Sequence, residues 1–306
     1  MTFDLLIPLT SAAIVAGTPI LYATLGEMFT EKSGVLNLGV EGIMLVGALV
    51  AFLVAYSTKN PMLAFFAAGL AGMLLASLHG LVCLVLLGNQ VVSGLALTIL
   101  GTGVANYFGA SFVGLTAPGF QPFSLPLLAD IPALGEILFH HDLLVYLSYG
   151  LPVIMYLFLH NTRFGLALRA VGEFPDAAAA AGVKVFKYQV AGVLVGGFFM
   201  GLGGAYLSLA YTHLWTNNLT AGRGWIAVAL VIFAFWKPGR AVFGAYLFGG
   251  IMALQLRLQA SGTHLPSSVL LMLPYVLTIV VLVFSSFGKK RTSEPAALGV
   301  NIEPVD

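Results

Sequence analysis

Nine stretches of this chain are long and apolar enough to cross a bilayer, for which a helix needs about 20 mostly apolar residues. They lie at residues 5–27, 38–56, 62–87, 91–113, 143–160, 188–211, 219–236, 241–257 and 267–284. These runs are apolar all round, whereas a helix on a soluble core is apolar along one stripe. Only 8% of the residues are charged and 59% are hydrophobic, against the quarter charged that is usual in a soluble domain. The expected fold is therefore all-α, a polytopic integral membrane protein with about eight to ten transmembrane helices. The first run reads as a retained span, because Asp4 stands where a cleavable signal carries a basic leader and the run is too long.

Lys and Arg collect in cytoplasmic loops. Threading nine spans with the C-terminus inside puts Lys32, Arg163, Arg169, Lys184, Lys187, Lys237, Arg240, Lys289, Lys290 and Arg291 on the cytoplasmic side. Lys59, Arg223 and Arg257 fall outside, and so does the segment 114–142, which has no Lys or Arg. A membrane domain is expected over residues 1–284, with a cytoplasmic polar tail, expected to be disordered, over 285–306.

Side-chain chemistry is poorly provided for. The net charge of +1 excludes an electrostatic nucleic-acid binder. The single cysteine, Cys83, excludes an internal disulfide framework and reads as a small buried hydrophobe. No HExxH, CxxC, GxSxG or Walker pattern occurs, so no metal, cofactor or catalytic group is expected in this chain.

Glycine is abundant, and its placement differs between regions. Gly192, Gly196, Gly197, Gly201, Gly203 and Gly204 share one span and read as close-packing positions. In Ser33-Gly34-Val35-Leu36-Asn37-Leu38-Gly39-Val40-Glu41-Gly42 and in Thr220-Ala221-Gly222-Arg223-Gly224-Trp225 glycines instead bracket polar groups at a membrane boundary. Irregular backbone at membrane depth is tolerated only where protein buries it or a cavity solvates it. Both stretches are therefore candidate broken helices, and they are candidates for corresponding positions in two structural halves. Glu41 lies one turn inside its span, where an ionised carboxylate costs about 2.5 to 3.5 kcal/mol. It reads either as a pathway group or as a cap on backbone amides freed by Gly39 and Gly42. Asn89 and Gln90 form a short turn, and Ser93, Thr102 and Asn106 follow on one helical stripe that either lines a cavity or bonds neighbouring helices. His79 reads as a satisfied core histidine.

The stretch 160–187 is the most informative one outside the spans. Thr162 is an expected N-cap and Gly172 an expected stop, and Pro175 with Asp176 starts a second short helix that Gly182 ends. An alanine-rich helix flanked by Arg169, Glu173 and Asp176 suits a helix-in-groove contact with another protein.

This loop, with Arg169-Ala170-Val171-Gly172-Glu173 and the alanine run to Gly182, resembles the coupling loop of bacterial ABC import permeases. The branch is the one serving simple sugars, branched-chain amino acids and nucleosides. Residues 34–42, 88–97 and 220–230 with Trp236-Lys237-Pro238-Gly239 are similar to three further signatures of that branch. Among its members the chain is most similar to the shorter permease of nucleoside importers. The resemblance implies half of a translocation pathway for a small polar solute, a nucleoside, with a ribose-like sugar or a branched-chain amino acid as the alternative. It also implies a second permease as heterodimer partner, a cytoplasmic ATPase that uses ATP and Mg, an extracytoplasmic solute-binding lipoprotein, and the bacterial plasma membrane. On this reading Arg169, Gly172, Glu173, Asp176, Ala177, Ala181 and Gly182 face the ATPase, while Asn37, Glu41, Asn89, Ser93 and Asn106 belong to the pathway. Two rivals differ in class: an ion-coupled secondary transporter using Glu41 and His79, and an intramembrane hydrolase, for which no paired carboxylates or Ser/His pair is evident.

Overall fold

The computed structural model describes residues 3–262, 266–286 and 294–301, so Lys289, Lys290 and Arg291 lie outside the described residues. Among the described residues seven helices are long and apolar enough to cross a membrane: Leu6–Glu31, Val40–Thr58, Pro61–Val85, Gln90–Phe112, Leu143–Asn161, Val185–Tyr211 and Pro238–Ala260. In chain order the helices are α1 (Phe3–Glu31), α2 (Val40–Thr58), α3 (Pro61–Gly80, continued by a π-helical turn Leu81–Val85), α4 (Gln90–Gly109), α5 (Leu134–Leu138) and α6 (Leu143–Asn161). Then come α7 (Arg163–Glu173), α8 (Pro175–Ala180), α9 (Val185–Tyr206, continued by a π-helical turn Leu207–Tyr211), α10 (Arg223–Phe233), α11 (Pro238–Ala260), α12 (Ser267–Leu271) and α13 (Leu273–Ser286). A two-residue antiparallel pair, β1 (Phe123–Ser124) with β2 (His140–His141), ties the segment before α6.

Several helices begin where a side chain can take the first free amides. Asn60 accepts from Leu63, Asn89 from Val92, Asp142 from Leu144 and Val145, and Thr162 from Gly165. Pro175 starts α8 as expected, and Gly182 closes it with φ +81°. Gly172 does not stop α7, which runs on to Glu173. Its missing side chain serves a close approach instead, because a Cβ there would strike the Lys32 carbonyl.

The centre of the bundle is α9, with α1, α2 and α3 around it. Its six glycines all meet a neighbour: Gly192 and Gly196 the Ser33 and Thr30 side chains, Gly197 and Gly201 the backbone of Gly72 and Ala68, Gly203 that of Pro19, and Gly204 that of Met44. Helices in lipid gain from such backbone approach, having no hydrophobic drive between them.

The span expected over 219–236 is half a span. Helix α10 has 11 residues, roughly 16 Å at 1.5 Å per residue, and 212–222 reaches its start as irregular chain. Likewise α2 begins inside the bundle, since Gly42 packs on Gly101, about three turns along α4. The last span is also interrupted, as α12 gives way to α13 at Met272, just ahead of Pro274. The unit α1, 33–39, α2, α3 and the unit α9, 212–222, α10, α11 run in opposite senses. Helices α1 and α9 pack antiparallel, with Pro19 against Gly203 and Thr30 against Gly196, and the N-termini of α2 and α10 meet where Gly224 touches Glu41.

Two further expectations change. Arg223, expected outside, is buried within the protein at the start of α10, with its guanidinium over the Tyr211 ring and bonded to the Thr220 carbonyl. The tail, expected to be disordered, has its described part 294–301 laid against the protein. Ala297 N–H donates to Gly172, Gly299 N–H to Gly34, and the Asn301 amide to the carbonyls of Leu87 and Gly88. Two glycines and a turn leave backbone carbonyls open there, and the tail's own amides fill them.

Candidate functional site

The chain from Val35 to Asn37 is irregular and Leu38 and Gly39 form a turn, so this stretch lacks a helix's internal bonds for its backbone groups. Side chains from three helices do so. Leu36 N–H donates to Gln90 Oε1 at 2.8 Å, and its carbonyl lies 3.0 Å from His79 Nε2. Asn37 N–H donates to Glu27 Oε1 at 3.1 Å, the Leu38 carbonyl accepts from Thr98 Oγ1 at 2.9 Å, and Gly39 N–H donates to Asn37 Oδ1 at 2.8 Å. A carbonyl can only accept, so His79 carries its proton on Nε2, and Nδ1 takes the Ser93 hydroxyl at 3.0 Å. A Ser/His pair and a carboxylate pair one turn apart, Glu27 and Glu31, are thus present where the sequence showed neither. Both serve packing: Glu31 accepts from the Trp236 indole N–H, and His79 closes the Leu36 turn.

Glu41 stands at the junction of the two broken stretches. Its Oε1 accepts from Thr220 Oγ1 at 2.6 Å and Gly222 N–H at 2.8 Å, and its Oε2 from Gly224 N–H at 2.6 Å. The amides that Glu41 caps are therefore those at the start of α10, not the expected local ones freed by Gly39 and Gly42. Two helix N-termini, each with positive partial charge, meet around one carboxylate.

The other pathway residues divide. Asn89 and Ser93 line one open groove of about 510 Å³ between α3 and α4, together with His79. Asn106 lies at the far end of α4, paired with Asn218 through two hydrogen bonds. Asn37 is fully buried among its backbone partners and does not reach the groove.

The loop residues divide as well. Arg169 donates Nε to the Leu159 carbonyl at 2.9 Å, Gly172 is buried against Lys32 and Gly34, and Glu173 accepts from Ala296 N–H. Gly172 is thus turned to its own chain, while Arg169 and Glu173 are half-buried and bonded to it. Asp176, Ala177, Ala181 and Gly182 are exposed. Phe174, which sequence reasoning passed over, is 68% exposed at the elbow between α7 and α8. Its signal was an aromatic residue just ahead of a helix-starting Pro in a loop with few apolar partners. Among the described residues no group of three or more His, Cys, Asp or Glu could hold a metal ion.

Comparison with known proteins gives this arrangement a context. The family model for the branched-chain amino acid transport system permease component matches residues 9–282. The chain is 41% identical to a putative glucose ABC transporter permease of Haloferax volcanii, with 95% of each chain covered. It is 34% identical to a nucleoside ABC transporter permease of Lactococcus lactis and 33% identical to a guanosine ABC transporter permease of Bacillus subtilis, with 94% of each chain covered in both cases. No solved structure matches. The chain belongs to this permease family and is a membrane-embedded, non-catalytic subunit of an ABC importer of the plasma membrane, whose ATPase and solute-binding protein are separate chains.

Proposed function

We propose that this permease forms half of a nucleoside pathway, pairs with a second, different permease, and is driven through the exposed elbow at Phe174. The C-terminus and the loop 160–187 lie on the cytoplasmic side, and residues 1–284 act as one membrane domain. A partner ATPase, using ATP and Mg, grips Phe174, Asp176, Ala177, Ala181 and Gly182. Arg169, Gly172 and Glu173 pass its movement inward. The observation that carries this reading is the contact of Gly172 with Gly34 and Lys32, because it joins the loop to the irregular turn that leads to Glu41 and α10. A rigid element biased between two states can carry such coupling. Asn89 and Ser93 line the groove offered to the solute between the two permeases, while Asn37, Glu41 and Asn106 hold the broken helices that shape it.

Nucleoside transport is supported by the relatives in Lactococcus lactis and Bacillus subtilis. The relative in Haloferax volcanii favours a simple sugar as the second reading. Uptake of labelled guanosine and glucose by the whole importer in proteoliposomes decides between them. Competition by guanosine and not by glucose is expected, and the reverse overturns the substrate assignment. Docking is tested by Ala177→Cys in a Cys83→Ala background. Crosslinking to the co-expressed ATPase is expected, and none from Ala177 or Ala181 overturns the elbow as the docking site.

A further inference from the structure

A cavity of about 990 Å³ opens between α6, α7 and the start of α11, at the ends of the spans Leu6–Glu31, Leu143–Asn161 and Pro238–Ala260. That volume is at the upper end of what holds a drug-sized molecule. Its lining combines two chemistries. Lys32, Arg169, Lys237 and Arg240 supply positive charge, and Glu173 is the lining carboxylate. The walls beneath are apolar, and they include Leu166, 59% exposed, and Tyr156, whose ring stacks on His160. Exposed apolar walls directly under a basic rim suit neither water nor a plain inorganic anion. They suit a molecule with an anionic head and a hydrocarbon body.

We infer that this cavity binds an anionic phospholipid, its phosphate held by Lys237, Arg240 and Arg169 and the first part of its acyl chains against α6 and Leu166. Basic pockets between transmembrane helices are a recognised setting for anionic head groups. Burial lowers the Lys32 pKa, with Arg169 and Lys237 adding to the effect against Glu173 and Glu31, so a bound anion would relieve crowded positive charge. The lipid would brace the inner face of α7, whose far end carries Phe174. The inference is independent of which leaflet the cavity faces and of the solute carried, so its failure leaves the transport reading untouched.

The test is thermal unfolding of the purified, delipidated full-length permease with added phosphatidylglycerol, phosphatidylcholine or inorganic phosphate. Phosphatidylglycerol alone is expected to raise the midpoint by several degrees. The double variant Lys237→Gln/Arg240→Gln is expected to weaken the lipid dependence about tenfold or more, since each basic group near an anionic surface is worth about a factor of five. Lys184→Gln/Lys187→Gln, at basic positions outside the cavity, is expected to keep it. An equal rise with phosphatidylcholine overturns the inference, as does an equal rise with phosphate, which would mark a free-anion site. Equal loss in both double variants overturns it too, by reducing the effect to general surface charge. Native mass spectrometry supplies a second readout: one phosphatidylglycerol retained by the wild type and lost by Lys237→Gln/Arg240→Gln.

Discussion

The junction around Glu41 and the elbow at Phe174 are built on opposite terms. At the junction the carboxylate accepts three hydrogen bonds, and the irregular turn beside it has its backbone groups met by Gln90, His79, Glu27 and Thr98. At the elbow a large aromatic side chain stands exposed together with Ala177, Ala180 and Ala181. The difference teaches which polar residues of a membrane transporter to suspect of contact with other molecules. Interior polar groups next to irregular backbone are committed to that backbone, because in lipid an unmet amide costs several kcal/mol. At the elbow, by contrast, the side chains open to a partner are the exposed ones of Phe174 and Asp176.

The sharpest way to break this contrast is at Glu41. Glu41→Ala leaves the Gly222 and Gly224 amides and two converging helix ends without an acceptor, with an expected loss of about 3 to 5 kcal/mol in unfolding of the detergent-solubilised protein. Glu41→Gln keeps one acceptor and is expected to lose about 1 to 3 kcal/mol. If Glu41→Ala unfolds like the wild type, the junction is not braced by its carboxylate. Phe174→Ala tests the other side. Stability is expected to stay within about 0.5 kcal/mol, as for a surface position, while affinity for the ATPase falls by about 2 kcal/mol, roughly thirtyfold. Binding of the purified ATPase to the reconstituted permease reads this, and unchanged affinity removes Phe174 as an anchor. Between the two regions lies the tail. Asn301→Ala removes bonds to Leu87, Gly88 and Gln90 and is expected to cost about 1 kcal/mol, measured by the unfolding midpoint. No change would show that the tail rests on the turn without holding it.

How much of this was legible depended on the range of the interaction. Apolar runs identify spans locally, so seven long helices, the cap at Thr162 and the helix start at Pro175 follow from the residues. The half-length of α10 does not, because 219–236 is as apolar as a full span and its break depends on Glu41, almost two hundred positions away in the chain. Glu27 and Glu31 lie at the end of α1, and only the fold brings Asn37 and Trp236 to them. His79 and Ser93 meet because the turn at Asn89 folds α4 back beside α3, which fixes a register that spacing alone leaves open. The tail is too polar to announce burial, and it docks in part through backbone amides that any sequence would carry, with the Asn301 side chain adding its own bonds.

The smallest expected effect is at Asp142, a carboxylate that, like Glu41, is committed to helix amides, but at the end of a span. Its Oδ1 accepts from Leu144 N–H at 2.8 Å and Val145 N–H at 3.2 Å. Burial pushes its pKa above the ordinary 3.8, and the amide bonds offset this only in part. The fold therefore favours the protonated form. That contribution is fully present below the unfolded pKa and is lost as pH climbs through the raised folded value, above which stability no longer depends on this group. Asp142→Asn keeps an acceptor for the cap and carries no charge, so its unfolding midpoint is expected to lose that decline across the acidic range and to equal or exceed the wild type at neutral pH. Asp142→Ala removes the cap and the titrating carboxyl together, so its cost, about 1 kcal/mol in acid, is expected to shrink as pH climbs through the raised folded value. A decline that survives in Asp142→Asn would assign it to another carboxylate and leave Asp142 as a cap whose charge the fold tolerates without penalty.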